Sequence, residues 1–593
     1  MKRFLVGFLA TIGLISILMF LGGTLLFVFG LFAWTKDVGR IADGSILEIQ
    51  FEQPITEIVS DDPLGRLFME DALVLRDLVD AINQARDDDR ISGIFADMSG
   101  VGMGLAQLQE VRDALVSFRT SGKPVVAFAQ TFGELSPGNA AYYLATACDS
   151  IYLQPSGDLN LTGLYVEHPF VRGTLEKIGV EPEIGQRYEY KNAVNLYKET
   201  EFTEAHEEAL SKLIGSLFDQ MIGAIGDARN ISEDELRSLF DEGPHLARAA
   251  LAAGLVDAAL YRDQAWDRLT DGREVDTISV ESYFEMVGRP HEGAHTLALI
   301  HGYGGIQRGA SSYDSFNDSA IFGSDTVAGA IRDAVDNDHV EAIVFRVSSP
   351  GGSYIASDTV WREVERARES GKPIVVSMGD YAASGGYFVA MAADKILAQP
   401  ATLTGSIGVY GGKMVLADVM DKVGVTFDQV ATSENASIWS PNVPYTEDGW
   451  KRIDAFLDHV YEDFTGKVAE YRGLDRDRVH EIARGRVWTG SDALALGLID
   501  ELGGLDRACE VALELAEIDS EDGYRLRVFP SPKSTWELLL ERRGLRGSTG
   551  VEELARQWHQ STNELRQIAA DLGVVRERGV LEASLPRIFG SSH

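Results

Sequence analysis

The sequence predicts an α/β protein built from two tandem repeats of a parallel-sheet unit. Three observations lead there: a set of motifs that occurs twice, a rhythm of Val/Ile-rich runs alternating with helical stretches, and one long uncharged segment ahead of both copies.

The uncharged segment comes first. From Phe4 to Trp34 no side chain is charged, and a bilayer core needs about 20 apolar residues, so the stretch is long enough to span one. A cleaved signal peptide would have a shorter apolar core and a small-residue cleavage site, and neither stands between Leu25 and Asp37. An uncleaved anchor over residues 1–40 is expected. Lys2 and Arg3 balance Lys36 and Arg40 across it, so charge alone barely orients it. A large body behind an N-terminal anchor is expected on the exported side.

The repeat follows. ISGIFADMSG (91–100), SGKPVVAFA (121–129), NAAYYLATACDSIYLQP (139–155) and LTGLYV (161–166) return as VEAIVFRVSSPGG (340–352), SGKPIVVSM (370–378), SGGYFVAMAADKILAQP (384–400) and LTGSIGV (403–409). Asp149 with Asp394, Pro155 with Pro400 and Gly254 with Gly497 keep nearly the same separation, so each copy has the size of a domain. Within a copy, IVFRV, SDTVWREVERARES and PIVVSM alternate strand and helix periods, the mark of βαβ units around a buried parallel sheet. The expected divisions are an anchor (1–40), a first repeat (41–290), a second repeat (291–525) and a C-terminal helical tail (526–593) without a counterpart.

Composition excludes several classes. The formal charge of −37 offers phosphate backbones no attraction, so nucleic acid is not an expected partner. Two cysteines, Cys148 and Cys509, are too few for a disulfide framework or a cysteine zinc site. HEGAH (291–295) has the letters of a zinc-protease motif, but Pro290 and Gly293 oppose a helix and the strand pattern TLALI follows at once, so it reads as linker and no metal is expected.

The chemistry concentrates where strands of the second copy end in glycines. IVFRV runs into SSPGG (348–352), and PIVVSM runs into YAASGGY (381–387), where Ser384 stands between Ala383 and Gly385 at the start of an apolar helix. Small neighbours admit a substrate backbone, and unpaired N–H groups at the helix start suit a developing oxyanion. Ser384 alone could be an N-cap. Two glycine segments at one sheet edge point instead to acyl transfer.

SSPGG, YAASGGY and ATLTGSIGVYGG (401–412) resemble the motifs of the signal peptide peptidase A family in its long, tandem-repeat form. That resemblance covers nearly the whole chain after the anchor. It implies two tandem domains of the Clp-protease/crotonase-like kind after an N-terminal transmembrane helix, and a serine/lysine dyad without cofactor. It further implies Ser384 as nucleophile and Lys191, in the Tyr190-Lys191 pair of RYEYKNAVNLYKE, as general base. The Gly352 and Gly385 amides would form the oxyanion hole, with Gly351 as the alternative to Gly352, and Ser406 would orient the lysine. A homotetramer in the bacterial inner membrane, with its body on the periplasmic side, would cleave remnant signal peptides or other apolar peptides. Lowering a lysine pKa from ~10.4 to neutrality takes about 4 kcal/mol, which burial can supply.

The two copies have also diverged reciprocally. Ser384 aligns with Asn139, Lys191 with Ala436, and SSPGG with SGVGM (99–103), so each copy keeps one half of the dyad. A single site between the copies is expected. Ser384 lacks the G-x-S-x-G elbow of Ser-His-Asp hydrolases. The rival readings are a crotonase-like acyl-CoA enzyme and an inactive membrane scaffold.

Overall fold

The computed structural model describes residues 40–531 except 54, 59–72, 291–292, 315–318 and 520–522. The segment read as an anchor and the chain beyond 531 lie outside the described residues. Among the described residues, no helix is long and apolar enough to cross a membrane.

Two sheets organise the chain. In the first, the strands run in the order Ala258–Ala259, Ser150–Leu153, Val125–Ala129, Ile91–Asp97, Ser45–Gln50, Thr277–Ser279, all parallel. Helices cover the sheet faces, so central strands such as VVAFA (125–129) are buried along their whole length. Helix Leu75–Asp87 shows how: Leu75, Leu78, Val79 and Ile82 are its buried stripe.

The second sheet repeats the six strands of the first and adds Leu403–Gly405 and Val487–Thr489. Glu501–Leu502, Lys395–Ala398, Ile374–Ala383, Ala342–Ser349, His295–Tyr303 and Tyr524–Phe529 lie side by side in parallel. Individual bonds repeat as well. Tyr142 donates to the Leu255 carbonyl (2.7 Å) and Tyr387 to that of Leu498 (2.8 Å). The Lys of each SGKP motif caps the end of a helix in its own half, Lys123 on the Ala85 carbonyl and Lys372 on that of Ala334, where a cation meets the negative end of the helix dipole.

One division needs correcting. Residues from 526 were expected to begin a helical tail, yet Tyr524–Phe529 is an edge strand beside His295–Tyr303, the counterpart of Thr277–Ser279. Arg525 and Arg527 point away from the core while Leu526 and Phe529 are buried, and so short an alternation with two arginines is easily taken for a polar helix. His295 of the HEGAH motif opens its strand and bonds Glu341 (2.8 Å).

Two of the joints between the halves bear on the site. Strand Glu181–Arg187 of the first pairs antiparallel with Val409–Val415 of the second, in register from Arg187 and Val409 to Glu181 and Val415. Behind the second sheet, helix Leu105–Arg119 of the first half sets its N-terminus on Asp380, whose Oδ1 accepts the Ala106 and Gln107 amides (3.1 and 3.2 Å). Glu110 of that helix and Glu57 both bind Arg346, which is 2% exposed, at 2.5 and 2.8 Å. Burial pushes Glu110 up to about 7, whereas Arg346 holds Glu57 below the usual carboxylate range against the effect of burial.

Removing one member of a buried ionic cluster strands the others. Arg346→Met is therefore expected to destabilise the fold by about 3–5 kcal/mol, and Glu110→Gln by much less. Denaturant unfolding of the two variants checks the order, which a loss at Glu110→Gln equal to that at Arg346→Met would contradict.

Candidate active site

Strand Ile374–Ala383 outruns its neighbour, Ala342–Ser349, and its last residues pair with Leu403–Gly405. The chain then turns sharply. Ser384 has φ 54° and ψ −116°, a left-handed setting that is costly for a residue with a Cβ. Its amide is held by the Gly405 carbonyl (2.8 Å), and helix Gly385–Ala390 begins at the next residue. The hydroxyl is thereby left facing a cleft of ≈ 600 Å³.

Lys191 reaches the same cleft from the first half. It follows strand Glu181–Arg187, and its Nζ lies 3.0 Å from Ser384 Oγ, 2.8 Å from Ser406 Oγ and 2.7 Å from the Ser406 carbonyl. Only 4% of the residue is exposed. Burial alone pushes its pKa down to about 7.

The glycine segments close the third side. Gly351 and Gly385 are in backbone contact: a Cβ on Gly351 would stand 2.6 Å from the Gly385 amide nitrogen. Ile306 bridges the other edge of Gly352, donating to the Gly351 carbonyl and accepting from the Ser353 amide (both 2.9 Å). In such a bridge the Gly352 N–H points away from Ile306. The Gly351 amide is spent on Ser349 Oγ (3.1 Å), while the Gly352 and Gly385 amides have no acceptor among the described residues. Gly352, not Gly351, is thus free to donate into the cleft.

All five residues singled out in the sequence, Ser384, Lys191, Gly352, Gly385 and Ser406, line this one cleft. One chain supplies both Lys191 and Ser384. At the matching place in the first half, the Asn139 side chain bonds the Gly163 carbonyl (2.8 Å) and the Thr162 amide (3.0 Å), so the residue aligned with Ser384 is tied into its own loop. Ala436, aligned with Lys191, lies exposed.

The sequence profile of Peptidase family S49 matches residues 117–276 and 366–519. The chain is 34% identical over 462 residues to "Protease 4" of Salmonella typhi, covering 75% of this chain and 72% of that protein. The chain belongs to peptidase family S49. Against "Serine protease SPPA, chloroplastic" of Arabidopsis thaliana this S49 peptidase is 30% identical over 493 residues, 81% of its own length and 70% of the relative's. Among solved structures, a mutant ClpP1 from Listeria monocytogenes superposes with a TM-score of 0.22 at 13% identity, over 36% of this chain and 94% of that one. Family membership makes the protein a serine protease and disfavours the acyl-CoA and scaffold readings.

The sequence left the walls of this S49 peptidase's cleft unread. Tyr354, Phe388, Val409, Val460 and Phe464 line it. Val460 and Phe464 come from helix Glu447–Arg472, where Ile453, Leu457, Val460, Phe464 and Val468 are buried at helical spacing. That periodicity marks a buried stripe, though not what it faces.

Keeping a lysine neutral also has a stability signature. Its folded pKa is below the unfolded value of ~10.4, so the unfolded chain binds more protons and stability is lost as pH falls from about 10 through 7. Lys191→Met is expected to raise the unfolding temperature, by more at pH 7 than at pH 10. Calorimetry at the two pH values checks this, and a gain independent of pH would mean the amine is already charged.

Proposed function

We propose that the protein is a membrane-anchored serine endopeptidase in which Ser384 is the nucleophile and Lys191 the general base. The observation that carries this reading is a buried amine, titrating near 7, at 3.0 Å from a serine hydroxyl. A neutral amine has one lone pair and two N–H donors. The donors suit the Ser406 carbonyl and hydroxyl, which leaves the lone pair for the Ser384 proton. Ser384 Oγ then attacks the scissile carbonyl, and the oxyanion is held by the Gly352 and Gly385 amides. Lys191 returns the proton to the leaving amine, and water, deprotonated by the same lysine, releases the acyl group from Ser384.

The apolar, aromatic walls of the cleft support apolar peptides as substrates. The uncharged stretch Phe4–Trp34 supports an anchor beside membrane-borne peptides, remnant signal peptides being the foremost class, with the body outside the cytoplasm at the bacterial inner membrane. A homotetramer is supported by apolar surface left bare on the second half: Val423, Phe427, Val430 and Trp439 are exposed on the stretch aligned with the Lys191 arm. In the first half Ile184, Lys191 and Val194 of that arm are buried, so a second copy of the chain is the natural cover for its bare counterpart.

Turnover of a chromogenic peptide ester tests the chemistry. Ser384→Ala, Lys191→Ala and the double variant should each lose about 10³-fold or more, with the double no worse than either single, because a catalytic unit fails as a whole. An active Lys191→Ala enzyme would dismiss the lysine. For the parent, kcat/KM should fall on the acid side with an apparent pKa of about 7, since only the unprotonated amine accepts a proton. A profile flat from pH 5 to pH 9 would rule out a lysine base.

A further inference from the structure

Three backbone segments meet beneath Lys191, and one of them has no part in the dyad itself. It is the turn Arg484–Gly485–Arg486 that leads into strand Val487–Thr489 of the second half. The Arg484 carbonyl accepts the Tyr188 and Tyr190 amides (3.3 and 3.2 Å). The Gly485 amide donates to the Ile407 carbonyl (2.8 Å), and the Arg486 carbonyl accepts the Ser406 amide (2.7 Å). Three consecutive residues thus bind the main chain on both sides of the amine.

We propose that Gly485, gripped between Arg484 and Arg486, is a positioning residue that holds Lys191 against Ser384 and Ser406; the inference rests on the Ser384/Lys191 reading. Gly485 has φ +88°, and a Cβ there would stand 2.5 Å from the Lys191 nitrogen and 2.6 Å from its Cα. Gly408 is equally confined, since its Cβ would meet the Arg187 carbonyl at 2.7 Å and Gly485 Cα at 2.8 Å. Three backbones are therefore stacked with no side chain between them, a spacing that sets how far the amine reaches.

The flanking arginines clamp the residue before the lysine. Arg484 and Arg486 lie 5.7 and 4.8 Å from the centre of the Tyr190 ring, and Arg486 also lies 4.6 Å from that of Trp488. Their charges are directed outward, Arg484 to Glu189 and Arg486 to Glu208 (2.6 Å). None of these four charged groups is bonded to the base, and the groups that are bonded to its amine, Ser384 and Ser406, are neutral. In the first half, counted from the matching helices Ala247–Ala252 and Gly490–Ala495, Asp241, Glu242 and Gly243 stand where Arg484, Gly485 and Arg486 stand, so neither the glycine nor the arginines are kept. The clamp accompanies the half that holds the serine.

The test uses the full-length protein, with kcat and KM for a chromogenic peptide ester taken across pH and scaled to the Ser384 sites that a fluorophosphonate titrates. Gly485→Ala should lower kcat per site by about 10²-fold, the order expected for a misplacement near 1 Å, with KM changed by less than about twofold. Its acid limb should move to higher pH, because an amine released to water regains its proton. A purely structural role would reduce the number of titratable sites and leave kcat per site and the limb unmoved, and that result overturns the proposal. Should Gly485→Ala not fold, Arg484→Lys/Arg486→Lys decides: it preserves both charges but loses the planar contacts with Tyr190, so an alkaline limb supports the clamp and the parent's profile refutes it. Lys191→Ala is run alongside, and if that variant keeps its activity the dyad reading fails by itself, whatever the turn does.

Discussion

A buried amine without a counter-charge is the condition on which the site depends. Nothing but burial lowers the Lys191 pKa, so access of water or approach of a carboxylate would restore the proton. In the proposed dyad, holding it neutral amounts to roughly 4–5 kcal/mol relative to water. That demand explains features remote from the serine. The ribbon of Glu181–Arg187 with Val409–Val415 fixes the segment that leads into the lysine, and the nearby arginines are paired outward with glutamates of the first half. Its amine is met by a serine carbonyl and two hydroxyls, which orient it without charging it.

The interface between halves bears the cost. Arg346 with Glu57 and Glu110, and Asp380 at the start of helix Leu105–Arg119, tie the first half to the two strands that lead into Gly351 and Ser384. Buried ion pairs are weak sources of net stability, but they tolerate little displacement once formed. The cluster therefore suits a joint whose register matters more than its strength. Asn139, bonded into its own loop, shows the other side of the duplication: a position relieved of chemistry has become an ordinary structural one.

Much of this was legible in the sequence because repetition doubles every signal. Strand rhythm, glycine segments and the SGKP lysines could each be compared with a second copy, and the reciprocal loss supported the Ser384 and Lys191 that the family motifs had pointed to. Legibility ended where meaning depends on what lies across the interface. Gly485 is one glycine among 60, and only the backbone of Lys191, nearly three hundred residues away, gives it a purpose. Arg346 reads as a charge interrupting a strand until Glu57 and Glu110 are seen against it. Seeing that Gly351 lacks a free amide required knowing that Ser349 Oγ had already taken it. The strand Tyr524–Phe529 was hidden by its own arginines.

The proposed division of the dyad between halves has a consequence for the life of the chain. The lysine-bearing half leaves the ribosome first, and until its partner folds, Lys191 stands in water, where an amine with a pKa of ~10.4 is protonated and cannot act as a base. Tyr524–Phe529, which completes the second sheet, is among the last described residues to emerge. Hydrolytic power therefore appears only when synthesis and folding are nearly finished. Neutralisation by burial then serves as a timer, and the nascent protease is harmless to itself and its neighbours until its two halves have met.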